Sequence, residues 1–194
     1  LNSMTLFASV NATVTALVAG ELEQLEKEGD INISLDDYEY TIYCKTGALF
    51  ELAVNGMAIY TKQPQNIIDA LNTYGKKLGI GFQVVDDMLD YSSSSEHLGK
   101  TVGEDLNDGR ITLPLIITYK ELKGEDKNAF KAAVEQKELE IVLSFIDKAK
   151  ALEKCQKYAQ NAILEAKEAL KELPDSPYKE MLTNLADKAI MRSR

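Results

Sequence analysis

Phe82-Gln83-Val84-Val85-Asp86-Asp87-Met88-Leu89-Asp90 sets three carboxylates at the end of an otherwise apolar segment. Asp86 and Asp90 are four residues apart, so on a helix they stack on one face. Like charges at that spacing repel and weaken an isolated helix. A chain that keeps them there is read as holding a cation between them. All-oxygen donors suit a hard ion, and Mg²⁺ is commonly held by one or two carboxylates together with substrate phosphates. The plainer alternative is a solvated helix end that carries three acids by chance.

Working outward, a polar run from Ser92 to Ser95 leads into Gly99-Lys100-Thr101-Val102-Gly103-Glu104-Asp105-Leu106-Asn107-Asp108-Gly109-Arg110-Ile111-Thr112-Leu113-Pro114. Upstream lie Gly20-Glu21-Leu22-Glu23-Gln24 and Lys45-Thr46-Gly47-Ala48-Leu49-Phe50. Together these stretches spell GExxQ, KTxxLF, GxxFQxxDDxxD and GKxxGxDLxxGRxTLP. From about residue 10 to the C-terminus the chain resembles the trans-isoprenyl diphosphate synthases, also called polyprenyl synthetases. One departure is Arg110, where that family more often has Lys; the charge is kept. A larger one is that the family carries two Asp-rich motifs, and no counterpart of the first precedes Gly20. The chain therefore reads as the C-terminal two-thirds of a synthase.

The resemblance implies an isoprenoid-synthase-type bundle of α-helices, incomplete at its N-terminus. It implies condensation of an allylic diphosphate with isopentenyl diphosphate to an all-trans polyprenyl diphosphate, with Mg²⁺ as cofactor. On that likeness Asp86 and Asp90 are metal carboxylates of the second Asp-rich motif, Asp87 is next in line, and Asp105 matches an acid of the metal's outer shell. Lys45 and Lys100 match lysines that contact the allylic diphosphate. Thr46 and Gln83 match residues near the ionising carbon, and Phe82 an aromatic near the isopentenyl group. Each has a plainer reading as well: Lys45 and Lys100 as surface charges, Phe82 as core, Glu21 and Gln24 as the polar face of the first helix. Tyr38, Tyr40, Tyr43 and Tyr60 read as core or interface. A second function is a non-catalytic helical subunit that needs a partner carrying the first Asp-rich motif. A terpene cyclase is disfavoured, because the Asn/Ser/Glu metal motif of those enzymes does not follow Asp90.

The 194 residues suffice for one domain with a core, and 45% hydrophobic with 27% charged residues is ordinary for a globular chain. A net charge of −9 argues against nucleic acid, whose phosphates need a basic surface. An acidic protein that handles diphosphates must neutralise them locally, with metal ions and a few placed lysines. No apolar run is read as spanning a membrane. Cys44 and Cys155 form no CxxC pair and no zinc spacing, which gives a reduced, cytoplasmic chain. His97, the one histidine, is read as solvated. The family resemblance adds a homodimer.

Nearly every segment has helical periodicity. Residues 4 to 25 place Leu6, Val10, Val14, Leu17, Val18, Leu22 and Leu25 at steps of three and four. Ala8, Ala12, Thr15, Ala16 and Ala19 form a second, small-residue face. A capping box at Ser34 and Asp37 starts a helix expected to reach Tyr60. Pro64 opens a third, ending near Asp90, and its Gly75, Gly79 and Gly81 point to close packing or close substrate approach. Ser92 to Arg110 reads as a polar loop. Helices are expected over 112–136, over 138–172 with a break near Lys148, and to about Ile190 after Pro174 and Pro177. No strand pattern and no repeat is seen, so the expectation is all-α, residues 1–194 as one domain.

Overall fold

The computed structural model describes residues 3–92 and 102–191. Helix α1 (Met4–Glu26) starts at Ser3, whose hydroxyl accepts the Leu6 N–H at 3.3 Å. The expected capping box opens α2 (Leu35–Ile42): Asp37 N–H donates to Ser34 Oγ at 3.0 Å, and Ser34 N–H to Asp37 Oδ2 at 3.1 Å. The single helix expected up to Tyr60 is instead interrupted. A π-helical turn, Tyr43–Gly47, stands between α2 and α3 (Ala48–Tyr60). One wide turn rotates α3 relative to α2, and such turns gather at functional positions.

After Pro64 comes α4 (Gln65–Leu89). Of the stretch expected to be loop, residues 93–101 lie outside the described residues; its described part after them holds a helical turn, α5 (Glu104–Asn107), entered through Gly103 at φ 80°. The helix expected over 112–136 is two, α6 (Leu113–Glu121) and α7 (Gly124–Glu135). Leu122 between them is extended and Gly124 takes φ 57°, a turn whose signal is that glycine. The break near Lys148 occurs as expected: α8 (Leu139–Lys148) and α9 (Ala151–Ala169) meet at Lys150, φ 51°. A short 3₁₀ turn, Leu170–Glu172, then leads to α10 (Pro177–Met191). Among the described residues the fold is all-α, as expected.

Helix α4 is the axis. Tyr74, Leu78, Val84 and Val85 along it are all within 1% of complete burial. Its first half packs with α3, the end of α9 and α10 around Tyr74, Ile163 and Leu170. Its second half packs with α2, α6, α7, α8 and α9 around Val84, Ile116, Phe130 and Val142. Each such side chain contributes about 1.5–3 kcal/mol by leaving water. The Tyr74 hydroxyl donates to the Leu182 carbonyl at 2.7 Å and ties α10 down. Two glycines of α4 face backbone: a Cβ at Gly75 would lie 2.5 Å from Glu51 Cα, and one at Gly79 2.7 Å from Gly47 Cα, whereas Gly81 faces the Ile163 side chain. Close packing of α3 and the π turn on α4 is therefore what those two glycines serve.

Helix α1 packs differently from its sequence reading. Of its small face only Ala16 and Ala19 are half-buried, while Ala8, Ala12 and Thr15 are exposed; Leu6 and Leu17 are half-buried too, and Gly20 is buried against the π turn. Its large residues Phe7, Val10, Val14, Val18, Leu22 and Leu25 are exposed, from 40% to 62%. By length and composition α1 is long and apolar enough to cross a membrane, which corrects the reading that no segment is.

Candidate active site

The π turn carries Lys45 and Thr46 onto the flank of α4. There Thr46 Oγ1 donates to Gln83 Oε1 at 2.7 Å, and Gln83 Nε2 donates to Asp87 Oδ1 at 2.8 Å. From α2, the Tyr38 hydroxyl donates to Asp87 Oδ2 at 2.7 Å. The relay fixes the orientation of the Gln83 amide, since the carboxylate can only accept from its NH₂. A cavity of about 160 Å³ opens beside this relay, lined also by Gln24, Lys45, Asp105 and Arg110.

Asp87 is 5% exposed. Burial pushes its carboxyl up to about 7; Tyr38 and Gln83 pull the other way, and the charges of Asp105 and Asp86 add to the rise. Asp105 sits in the single turn of α5 and is raised to about 6, by burial first and the Asp90 charge second. Arg110 opposes that rise by donating from Nη1 to Asp105 Oδ1 at 2.7 Å, and its Nη2 reaches Asp108. Asp90 accepts at Oδ1 from the Glu104 N–H at 3.1 Å and at Oδ2 from the Asp105 N–H at 3.0 Å, capping α5. Asp86 and Asp90 are half-buried.

On the other wall, Lys45 Nζ donates to Gln24 Oε1 and pairs with Glu21 Oε2 at 2.9 Å. Phe82 packs on Phe50 with ring centroids 5.4 Å apart. Among the described residues no group of three or more His, Cys, Asp or Glu converges on one point. The acids Asp86, Asp87, Asp90 and Asp105 nevertheless crowd one another enough to raise the proton affinities of Asp87 and Asp105. Hard oxygen donors with surplus negative charge fit a divalent cation such as Mg²⁺.

The polyprenyl synthetase family model matches residues 1–161. The chain belongs to the polyprenyl synthetase family. It is 35% identical to the octaprenyl diphosphate synthase of Escherichia coli across its whole length and covers 61% of that relative. It is 33% identical to the all-trans-nonaprenyl-diphosphate synthase (geranyl-diphosphate specific) of Rhodobacter capsulatus, covering 99% of itself and 60% of the relative. Among solved structures, the decaprenyl diphosphate synthase of Rhodobacter capsulatus superposes at a TM-score of 0.91, with 33% identity, over 99% of this chain and 61% of that one. A Caulobacter crescentus polyprenyl synthase complexed with calcium and isoprenyl diphosphate superposes at 0.89, with 31% identity, over 100% of this chain and 60% of that one. The chain thus spans about 61% of the length of these relatives.

Within this polyprenyl synthetase fold Lys45, Thr46, Gln83, Asp87 and Asp105 line one cavity. Asp86 and Asp90 stand at the C-terminal end of α4 beside it. Phe82 packs on α3, and Lys100 lies outside the described residues. Asp87, expected next in line for metal, has both oxygens engaged by Tyr38 and Gln83. The role of Tyr38 was missed. A usable signal was there: Tyr38, Thr41, Ile42 and Lys45 fall on one face at helical spacing, and all four line the cavity. Gln24 and Arg110 line it too.

Proposed function

We propose that residues 1–194 belong to the all-helical prenyltransferase domain of a trans-polyprenyl diphosphate synthase. The allylic diphosphate loses its diphosphate, which departs with the C–O electron pair. The double bond of isopentenyl diphosphate supplies the electrons of the new C–C bond, and a proton then leaves. The observation that carries this reading is the Lys45–Thr46 pair held beside the Gln83–Asp87 relay in one cavity.

In this reading Lys45 and Lys100 hold the departing diphosphate, where negative charge builds. Thr46 Oγ1 and Gln83 Oε1 present oxygen to the carbon that becomes positive. Asp87 and Tyr38 hold the Gln83 amide in that orientation. Phe82 lines the isopentenyl side. Asp86 and Asp90 would hold Mg²⁺, with Asp105 behind them. The ion supplies charge neutralisation for the leaving group. Buried, unpaired Cys44 and Cys155 accord with a cytoplasmic setting. The exposed apolar stripe of α1 supports a homodimer.

The test is incubation of the full-length gene product with labelled isopentenyl diphosphate, an allylic primer and Mg²⁺, with sizing of the products. A ladder of all-trans products supports the reading. If turnover appears only when a polypeptide with the first Asp-rich motif is added, the non-catalytic-subunit reading holds instead.

A further inference from the structure

The cluster around Lys45 contains two groups that the reaction does not use. Lys45 Nζ donates to Gln24 Oε1 and pairs with Glu21 Oε2 at 2.9 Å, both from α1. An ammonium has three N–H donors. Two are taken here by acceptors on one rigid helix, and the third remains for an anion. The lysine stem is otherwise flexible, and ordering it on binding weakens affinity.

The arrangement depends on a close helix approach. A Cβ at Gly20 would lie 2.6 Å from Cys44 Cβ and 2.9 Å from Lys45 Cγ. Gly20 is the one α1 residue that is buried. Gly20, Glu21 and Gln24 therefore act as a unit. The glycine admits the π turn against α1, and the two acceptors one residue and one turn later then reach the ammonium.

Resting on the proposed diphosphate role of Lys45, we infer that Gln24 and Glu21 are positioning residues that clamp the Lys45 ammonium at the cavity wall, ready for a diphosphate. Gln24 is the neutral arm and orients without opposing an incoming anion. Glu21 is charged, so part of its benefit is offset by repulsion of the same anion.

The test is calorimetric titration of the protein with inorganic diphosphate in the presence of Mg²⁺, with melting curves on every variant. Lys45→Ala should weaken binding. Gln24→Ala should weaken it about 3- to 10-fold, the effect of leaving one long side chain to be ordered on binding. The double variant Gln24→Ala/Lys45→Ala should bind no more weakly than Lys45→Ala alone, since Gln24 acts only through the lysine. Glu21→Gln, which keeps an acceptor, should recover what Glu21→Ala loses. Full affinity in Gln24→Ala, or a loss that adds in full to that of Lys45→Ala, overturns the clamp and leaves the diphosphate site standing. Unchanged affinity in Lys45→Ala overturns the clamp and the diphosphate role together.

Discussion

At the scale of single residues, the four acids divide by what they touch. Asp87 is tied into the Tyr38–Gln83 relay and Asp90 caps α5, so replacing either disturbs local structure as well as charge. Asp86, one helical turn before Asp90, is the other carboxylate proposed to hold the metal. Asp86→Ala should lower turnover by orders of magnitude at saturating Mg²⁺ with circular dichroism unchanged; full activity would remove Asp86 from the site. Asp87 answers to pH. Its carboxyl titrates near 7 in the fold against an ordinary 3.8, so below about pH 4 it is protonated in both states and does not oppose folding. As pH rises from about 4 to 7, the unfolded chain ionises this acid more readily than the native one, and stability is lost. Melting temperature measured without divalent ions should therefore fall across that window. Asp87→Asn, which keeps an oxygen acceptor for one of the two donors, should flatten the fall; an equally steep profile would rule out Asp87 as its source. The sequence disclosed Asp86 and Asp90 through their spacing, and the Lys45–Thr46 pair through the family resemblance. It did not disclose that Asp87 is buried, because a carboxylate beside Asp86 and two residues past Val85 reads as the polar end of the helix. Burial is made tolerable by Gln83, one turn back on the same helix, and by Tyr38, forty-nine positions away, which spacing along α4 does not reveal.

At the scale of elements, the site depends on how closely two backbones meet. The π turn that presents Lys45 and Thr46 rests on Gly79, where a Cβ would come 2.7 Å from Gly47 Cα. Backbone cannot rotate aside as a side chain can. Gly79→Ala should cost about 1–3 kcal/mol of stability through overpacking. It should also lower activity further than stability explains, because Thr46 moves away from Gln83. Denaturant melts and turnover on the same sample would separate the two losses, and a fully active Gly79→Ala would show that the spacing is not critical. Helix starts were legible where chemistry is local, in the Ser34–Asp37 box and at Pro64. The π turn was not, since nothing in Tyr43–Gly47 distinguishes it from ordinary helix until α1 and α4 press on it. The α5 turn escaped notice for a similar reason: its cap is Asp90, fourteen residues before Glu104.

At the scale of the whole molecule, α1 has one face settled and one open. The inward side mixes half-buried Leu6 and Leu17 with small residues, and Ala16 there borders a cavity of about 260 Å³ together with Ala48 and Leu52. The outward face repeats Phe7, Val10, Val14, Val18, Leu22 and Leu25 at steps of three and four, all exposed. Periodicity in the sequence identified Val10, Val14, Val18, Leu22 and Leu25 together with Leu6 and Leu17, which are half-buried, and it could not say against what the exposed members pack. A second copy of the chain is the occupant that the proposed homodimer requires. Two stripes meeting across a two-fold axis would each remove large side chains from water, at about 1.5–3 kcal/mol for each one fully covered. A carboxylate at the centre of that seam has no partner and must be desolvated or protonated. Val14→Glu or Val18→Glu should therefore shift sedimentation from dimer toward monomer while helix content stays unchanged. If the stripe instead lies on lipid, wild-type protein will float with phospholipid vesicles and these variants will not, while the sedimentation of the lipid-free protein will be the same for both. The two experiments on one set of variants decide which surface α1 was built to meet.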